Sequence, residues 1–158
     1  MSELGTTAAN FKAIKEVCLQ YLIRREHSQL ELLQKVSAKG FIKQDIQIVL
    51  DELAEQGLQS DARFAESYAR HRVHRGIGPL RIKAELQQRG AGDYHFDMAV
   101  EDIAGSWQAL LEQVYSKKYD ITALPDAKEQ LKRSRFLQQR GFSADMIRRL
   151  FTELSSLA

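Results

Sequence analysis

The chain has 158 residues, 44% of them hydrophobic, and its 23 basic and 21 acidic residues leave a formal net charge of +2. That length can bury a core, the near-balanced charge says nothing by itself about partners, and the lone Cys18 excludes an internal disulfide and fits a reducing compartment. No apolar run approaches the roughly 20 residues a membrane helix needs, and Met1–Asn10 has neither the basic nor the apolar part of a signal peptide, so a cytoplasmic protein without a membrane span is expected.

Residues 1–9 have no periodicity and read as a disordered N-terminus. A helix is predicted from about Asn10 to Arg25, with Phe11, Ile14, Val17, Cys18, Tyr21 and Leu22 on one face, which makes Cys18 a small buried hydrophobe. Ser28 and Glu31 have the spacing of a capping box and open a second helix, closed by Gly40; a third runs from about Lys43 to Gln56. The next helix opens at Ser60 or Asp61, both good N-caps, with Asp61 preferred as the cap, and carries Phe64 and Tyr68. Gly76-Ile77-Gly78-Pro79 then forms a turn, and Pro79 starts the helix that reaches Gln88. Asp93 is the candidate N-cap of the following helix, which ends near Ala104-Gly105. Trp107, Leu110, Leu111, Val114 and Tyr115 mark another helix; Pro125 precedes one ending near Gln139; the last runs from Ser143 to about Leu154. No segment alternates as a strand does.

These elements repeat. A basic residue and a glycine recur as Lys39-Gly40, Arg89-Gly90 and Arg140-Gly141, about fifty residues apart. Ten residues before each glycine stands a leucine (Leu30, Leu80, Leu131), and four before it Val36, Leu86 or Leu137. After it come Ile46, Val49, Leu50 and Leu53; Phe96, Ala99, Val100 and Ile103; and Ile147, Leu150, Phe151 and Leu154, each set one stripe of a helix. The glycine closes the preceding helix in the left-handed conformation. The predicted fold is therefore all-α: three tandem three-helix repeats in an elongated, curved array, at residues 10–57, 58–105 and 106–155. The copies diverge at Leu32, Ile82 and Arg133, where the third has exchanged an apolar residue for a charge; either its helix is more exposed or that face meets an anion.

The charge is unevenly distributed. From Asp61 to Arg89 seven basic residues (Arg63, Arg70, Arg72, Arg75, Arg81, Lys83, Arg89) face three acidic ones. From Lys128 to Arg149 seven, including Arg133, Arg135, Arg148 and Arg149, face two. Such segments suit a phosphate backbone or an acidic protein surface, though charged helix faces are also ordinary. Replacing Arg70, Arg72 and Arg75 by alanine is expected to weaken function while leaving helicity and melting temperature nearly unchanged. His71 and His74 have no third ligand nearby, phosphate-loop and nucleophile motifs are absent, and no enzyme, cofactor or metal is expected.

The run Ser60-Asp61-Ala62-Arg63-Phe64-Ala65-Glu66-Ser67-Tyr68, then Arg72, then Gly76-Ile77-Gly78-Pro79-Leu80-Arg81-Ile82-Lys83-Ala84-Glu85-Leu86 and Arg89-Gly90, resembles the core signature of the RecX family. Tyr21–Ser28, Glu31-Leu32 and Lys39-Gly40-Phe41 are similar to its first repeat, and Leu137, Arg140-Gly141-Phe142 and Ile147 to its third. The resemblance implies tandem three-helix units that bind the RecA filament on single-stranded DNA and restrain its ATPase, strand exchange and co-protease functions. Phe64, Ala65, Leu80, Ile82 and Leu86 read as core; Gly40, Gly76, Gly78, Pro79, Gly90 and Gly141 as turns; and the eleven basic residues named above as the candidate surface for partner or DNA. A monomer is expected, with direct DNA contact left open. The alternative is a helix-turn-helix-like module binding nucleic acid without RecA, against which the third helices' Asp51, Glu52, Asp97, Glu101 and Asp102 count.

Overall fold

The computed structural model describes residues 3–157. Among them are nine helices and no strand: α1 Glu3–Arg24, α2 Gln29–Ser37, α3 Lys43–Glu55, α4 Asp61–His74, α5 Pro79–Gln88, α6 Asp97–Ile103, α7 Trp107–Lys118, α8 Ala127–Gln139 and α9 Ala144–Leu157. The all-α reading holds. α1 begins at Glu3 rather than near Asn10, because extending a nucleated helix costs little per residue. Of the N-terminus expected to be disordered, Met1 and Ser2 lie outside the described residues. No described helix is long and apolar enough to cross a membrane.

The chain divides into two compact units, one of Met1–Ser67 with Gln87–Tyr94, the other of Tyr68–Leu86 with His95–Ala158. The division runs through α4 and α5, so the second repeat contributes to both.

In the first unit α1 packs on α2 and α3. Ile14 and Cys18 of α1 meet Leu32 and Val36 of α2 and the Ile46, Val49, Leu50, Leu53 stripe of α3 in one core. Burial raises the Cys18 thiol to about 11, far from a nucleophile's range. The capping box closes α2: Ser28 Oγ accepts from the Glu31 N–H at 3.0 Å while Glu31 Oε1 accepts from the Ser28 N–H at 3.1 Å. A second cap comes from far along the chain. Asp61 Oδ1 accepts the Gln29 N–H at 2.9 Å, although Asp61 is the first residue of α4. The expected cap of α4 is thereby reassigned, for Ser60 Oγ takes the Arg63 N–H at 3.1 Å. Buried Gln59 completes the seam, donating to Asp61 Oδ1 at 2.9 Å and to the His27 carbonyl at 3.2 Å.

In the second unit α6 packs on α7, and α7 and α8 on α9. Ile147, Leu150, Phe151 and Leu154 of α9 are buried with Leu110, Leu111 and Tyr115 of α7. Ser106, Asp126 and Ser143 cap their helices with side-chain oxygens. Asp93 does not cap α6. That helix starts after Phe96, which makes no side-chain cap; the Phe96 ring packs edge-on to Trp107, whose Nε1 donates to Asp97 at 3.0 Å, so ring burial sets the helix start.

The glycines do more than stop helices. Gly40, Gly90 and Gly141 have positive φ, as the repeat pattern predicts, and so does Gly76 in the turn before Pro79. A Cβ on Gly90 would lie 2.9 Å from Leu30 Cβ, and one on Gly141 2.5 Å from Arg81 Cβ. Leu30 opens α2 and Arg81 opens α5, so the beginning of a repeat's middle helix rests on the glycine turn of the next repeat. Gly78 shares this contact: its N–H donates to the Arg140 carbonyl at 2.7 Å, and the Leu80 N–H to the Gly141 carbonyl at 3.0 Å. The contact is made by backbone, which leaves the Leu80 side chain 57% exposed rather than in the core; Phe64, Ala65, Ile82 and Leu86 are buried as expected. Leu131, ten residues before the last glycine, is 54% exposed.

Candidate functional site

The eleven candidate cations sort by what their charge already meets. In the first unit Arg63 Nε pairs with Glu26 Oε1 at 3.1 Å and Arg63 Nη2 donates to the Gly57 carbonyl at 2.9 Å, tying the start of α4 to the α1–α2 turn and the end of α3. Arg89 Nε lies 3.9 Å from Glu31 Oε2, the carboxylate that also completes the capping box and receives Arg25.

In the second unit Arg72 holds Glu85 through two parallel bonds, Nε to Oε1 at 2.9 Å and Nη2 to Oε2 at 3.0 Å, both side chains about three-quarters covered. Arg81 approaches the same carboxylate at 3.5 Å. Burial alone would raise the Glu85 carboxyl, but the hydrogen bonds and charge of Arg72, helped by Tyr68 and Arg81, hold it below its ordinary value. Arg70 Nη2 reaches Asp102 Oδ2 at 2.6 Å, joining α4 to α6. Arg70, Arg72 and Arg75 are therefore not one interchangeable surface cluster. Removing Arg72 takes the two-bond partner from a largely covered carboxylate, so the alanine triple loses stability as well as charge.

Arg133 answers the question its sequence position raises in neither of the two ways expected. Its side chain is only 17% accessible, donates to the Tyr115 hydroxyl at 2.8 Å, pairs with Glu129 at 3.2 Å and lies 4.3 Å over the Tyr119 ring. The charge gained in the third repeat is an internal fixture of α7 and α8. Arg148 and Arg149 pair with Asp145 and Glu153 on the exposed face of α9.

Three of the predicted set differ. Arg75, just past α4, Lys83 on α5 and Arg135 on α8 are exposed, and among the described residues none pairs with a carboxylate. All three belong to the second unit. No group of three metal-ligating side chains occurs among the described residues.

The family profile "RecX, second three-helix domain" matches residues 60–100, and "RecX, third three-helix domain" matches residues 107–151. A protein named Regulatory protein RecX from Halorhodospira halophila is 40% identical over 148 residues, 94% of this chain and 90% of that one. Its namesake from Pseudomonas tolaasii is 41% identical over 140 residues, covering 89% and 90%. Among solved structures, RecX from Lactobacillus salivarius aligns with a TM-score of 0.71 at 23% identity over 94% of this chain and 99% of that one. A second structure, described as regulatory protein RecX, gives a TM-score of 0.76 at 22% identity, covering 92% and 74%.

Proposed function

Because the chain belongs to the RecX family of regulatory proteins, which are not enzymes, we propose that it binds the RecA filament on single-stranded DNA and restrains its ATPase, strand exchange and co-protease activities. The observation that carries this reading is the match to the RecX profiles across the second and third repeats together with the curated relatives near 40% identity. The three repeats, 10–57, 58–105 and 106–155, are the proposed structural units, and the protein acts as a monomer. Arg75, Lys83 and Arg135 are the proposed contact cations, since their charge is not committed to a carboxylate. Several weak contacts in series along a polymer act through high effective concentration.

The test is RecA ATP hydrolysis on single-stranded DNA while this protein is titrated. Inhibition well below one molecule per RecA, without matching depletion of free DNA, supports the reading. The Arg75→Ala, Lys83→Ala, Arg135→Ala triple should weaken inhibition and leave the melting temperature unchanged. No inhibition up to excess, with salt-sensitive DNA binding by the protein alone, would replace it with the nucleic-acid module.

A further inference from the structure

One cleft of the second unit gathers charge that the sequence keeps apart. It encloses about 310 Å³ between the end of α4, α7 and α8. Four cations line it, Arg75, Lys117, Lys118 and Arg140, and no carboxylate does. Its apolar wall is Leu110, Val114 and Phe136. Arg140 is already placed: its Nη1 donates to the Arg75 carbonyl at 2.7 Å, and its guanidinium lies 5.3 Å from the Phe136 ring centre. Lys118 Nζ sits 3.8 Å over the same ring. Arg75, Lys117 and Lys118 pair with no carboxylate among the described residues.

Like charges collected round an aromatic ring are costly to hold unless an anion joins them. An inorganic anion would use the cations and leave the apolar wall idle. A ligand with a flat ring and an attached phosphate uses both. We propose that this cleft is a single-nucleotide subsite, with the base against Phe136, Leu110 and Val114 and the phosphate held by Arg75, Lys117 and Arg140. Lys118 moves from the ring face to the phosphate as the base enters, exchanging a cation–π contact for base stacking and an ion pair. Arg140 needs no such movement, so part of the ordering cost of binding is met beforehand. The nucleotide is either one residue of a single strand or a free nucleoside phosphate. This inference rests on the filament reading only in that such a filament presents both.

The experiment is fluorescence anisotropy of a labelled oligothymidylate with this protein alone, beside a strand of equal length carrying abasic sites and beside competing free nucleoside triphosphate. Tighter binding of the base-carrying strand than of the abasic one is expected. Arg75→Glu with Lys117→Glu should weaken binding about tenfold or more and, because both cations hold one phosphate, take about 0.7 from the slope of log affinity against log salt. The glutamine pair, Arg75→Gln with Lys117→Gln, should show a smaller loss in the same direction. Phe136→Leu should abolish the preference for bases and spare phosphate-driven binding. Displacement by free nucleotide would assign the site to soluble ligands, and its failure to displace would assign it to strands. Equal binding of base-carrying and abasic strands, or unchanged affinity in both charge variants, would overturn the proposal; so would displacement by polyglutamate with no base preference, which would make the cleft a receptor for acidic peptide. The RecA ATPase titration is independent, so inhibition that survives failure of these assays leaves the filament reading standing.

Discussion

Replacing Gly78 by alanine probes the contact that joins the second and third repeats. Its backbone is not left-handed, so the substitution carries no conformational penalty of its own. The cost is purely one of space. The added Cβ would lie 2.6 Å from both the carbonyl carbon and oxygen of Gly141 and 2.9 Å from Phe142 Cδ1. Backbone cannot rotate aside as a side chain can, so the turn must separate, at about 1–3 kcal/mol for overpacking. Separation also lengthens the bonds from Gly78 to Arg140 and from Leu80 to Gly141, each contributing about 1 kcal/mol net. The total is about 3–5 kcal/mol, or roughly 6–20 °C in melting temperature for a chain of this size. Gly40→Ala is the control: Gly40 has a φ of 100° and nothing within 4 Å of its added Cβ, so it pays only the backbone penalty of about 1–2 kcal/mol. Urea unfolding followed by far-ultraviolet circular dichroism measures both. If Gly78→Ala costs no more than Gly40→Ala, the close approach is not a stabilising contact and the account of repeat stacking fails.

Asp61→Ala should lose about 1–2 kcal/mol through uncapping of α2, measurable by urea unfolding, whereas a mere surface carboxylate would lose far less. Arg72→Ala should cost about 1–3 kcal/mol because the largely covered Glu85 loses its two-bond partner and keeps only the longer contact to Arg81 and the help of Tyr68, while Arg149→Ala on the exposed pair with Glu153 should change the midpoint by less than about 0.5 kcal/mol. His27 is buried, its Nδ1 3.0 Å from the Arg25 carbonyl and its Nε2 3.0 Å from Lys35 Nζ, an arrangement for the neutral ring. Burial, reinforced by the neighbouring charges of Arg25 and Lys35, lowers its pKa below 6.5, against the hydrogen bond to the Arg25 carbonyl. Its stabilisation is therefore complete above about pH 6.5 and lost as pH falls through the lowered folded value. The urea midpoint of the wild type should drop more steeply than that of His27→Gln as pH is lowered from 7, and parallel curves would refute this.

The helical stripes after each glycine were readable because burial on a helix leaves a period in the sequence, and Ile46 to Leu53 and Ile147 to Leu154 form core as that period implies. The Ser28–Glu31 box was readable because both partners are local. Asp61 was misjudged for the opposite reason: its partner Gln29 lies far back in the chain, and an aspartate before a helix looks the same whichever helix it caps. Leu80 carried a core residue's identity and spacing, yet the contact at that point is made by its N–H. Charge counting found the basic segments but not which charges were already spent. Arg72, Arg133 and Arg135 are indistinguishable by composition, whereas one clamps Glu85, one lies over the Tyr119 ring and one stands in solvent. The cleft of Arg75, Lys117, Lys118 and Arg140 had no local signal, since its residues come from three separate helical segments.

The seam at Gln59 and Asp61 bears on how such a protein can grow or be dissected. A cut at Gly57, where the first repeat ends by periodicity, would discard the carboxylate that caps α2 and the amide that satisfies the His27 carbonyl. The first repeat as a folding entity is therefore longer than its period, and overlaps the beginning of the second. Duplication or deletion by whole periods would have to carry that overhang along, or supply a substitute. The first two repeats therefore share residues at their seam rather than meeting edge to edge.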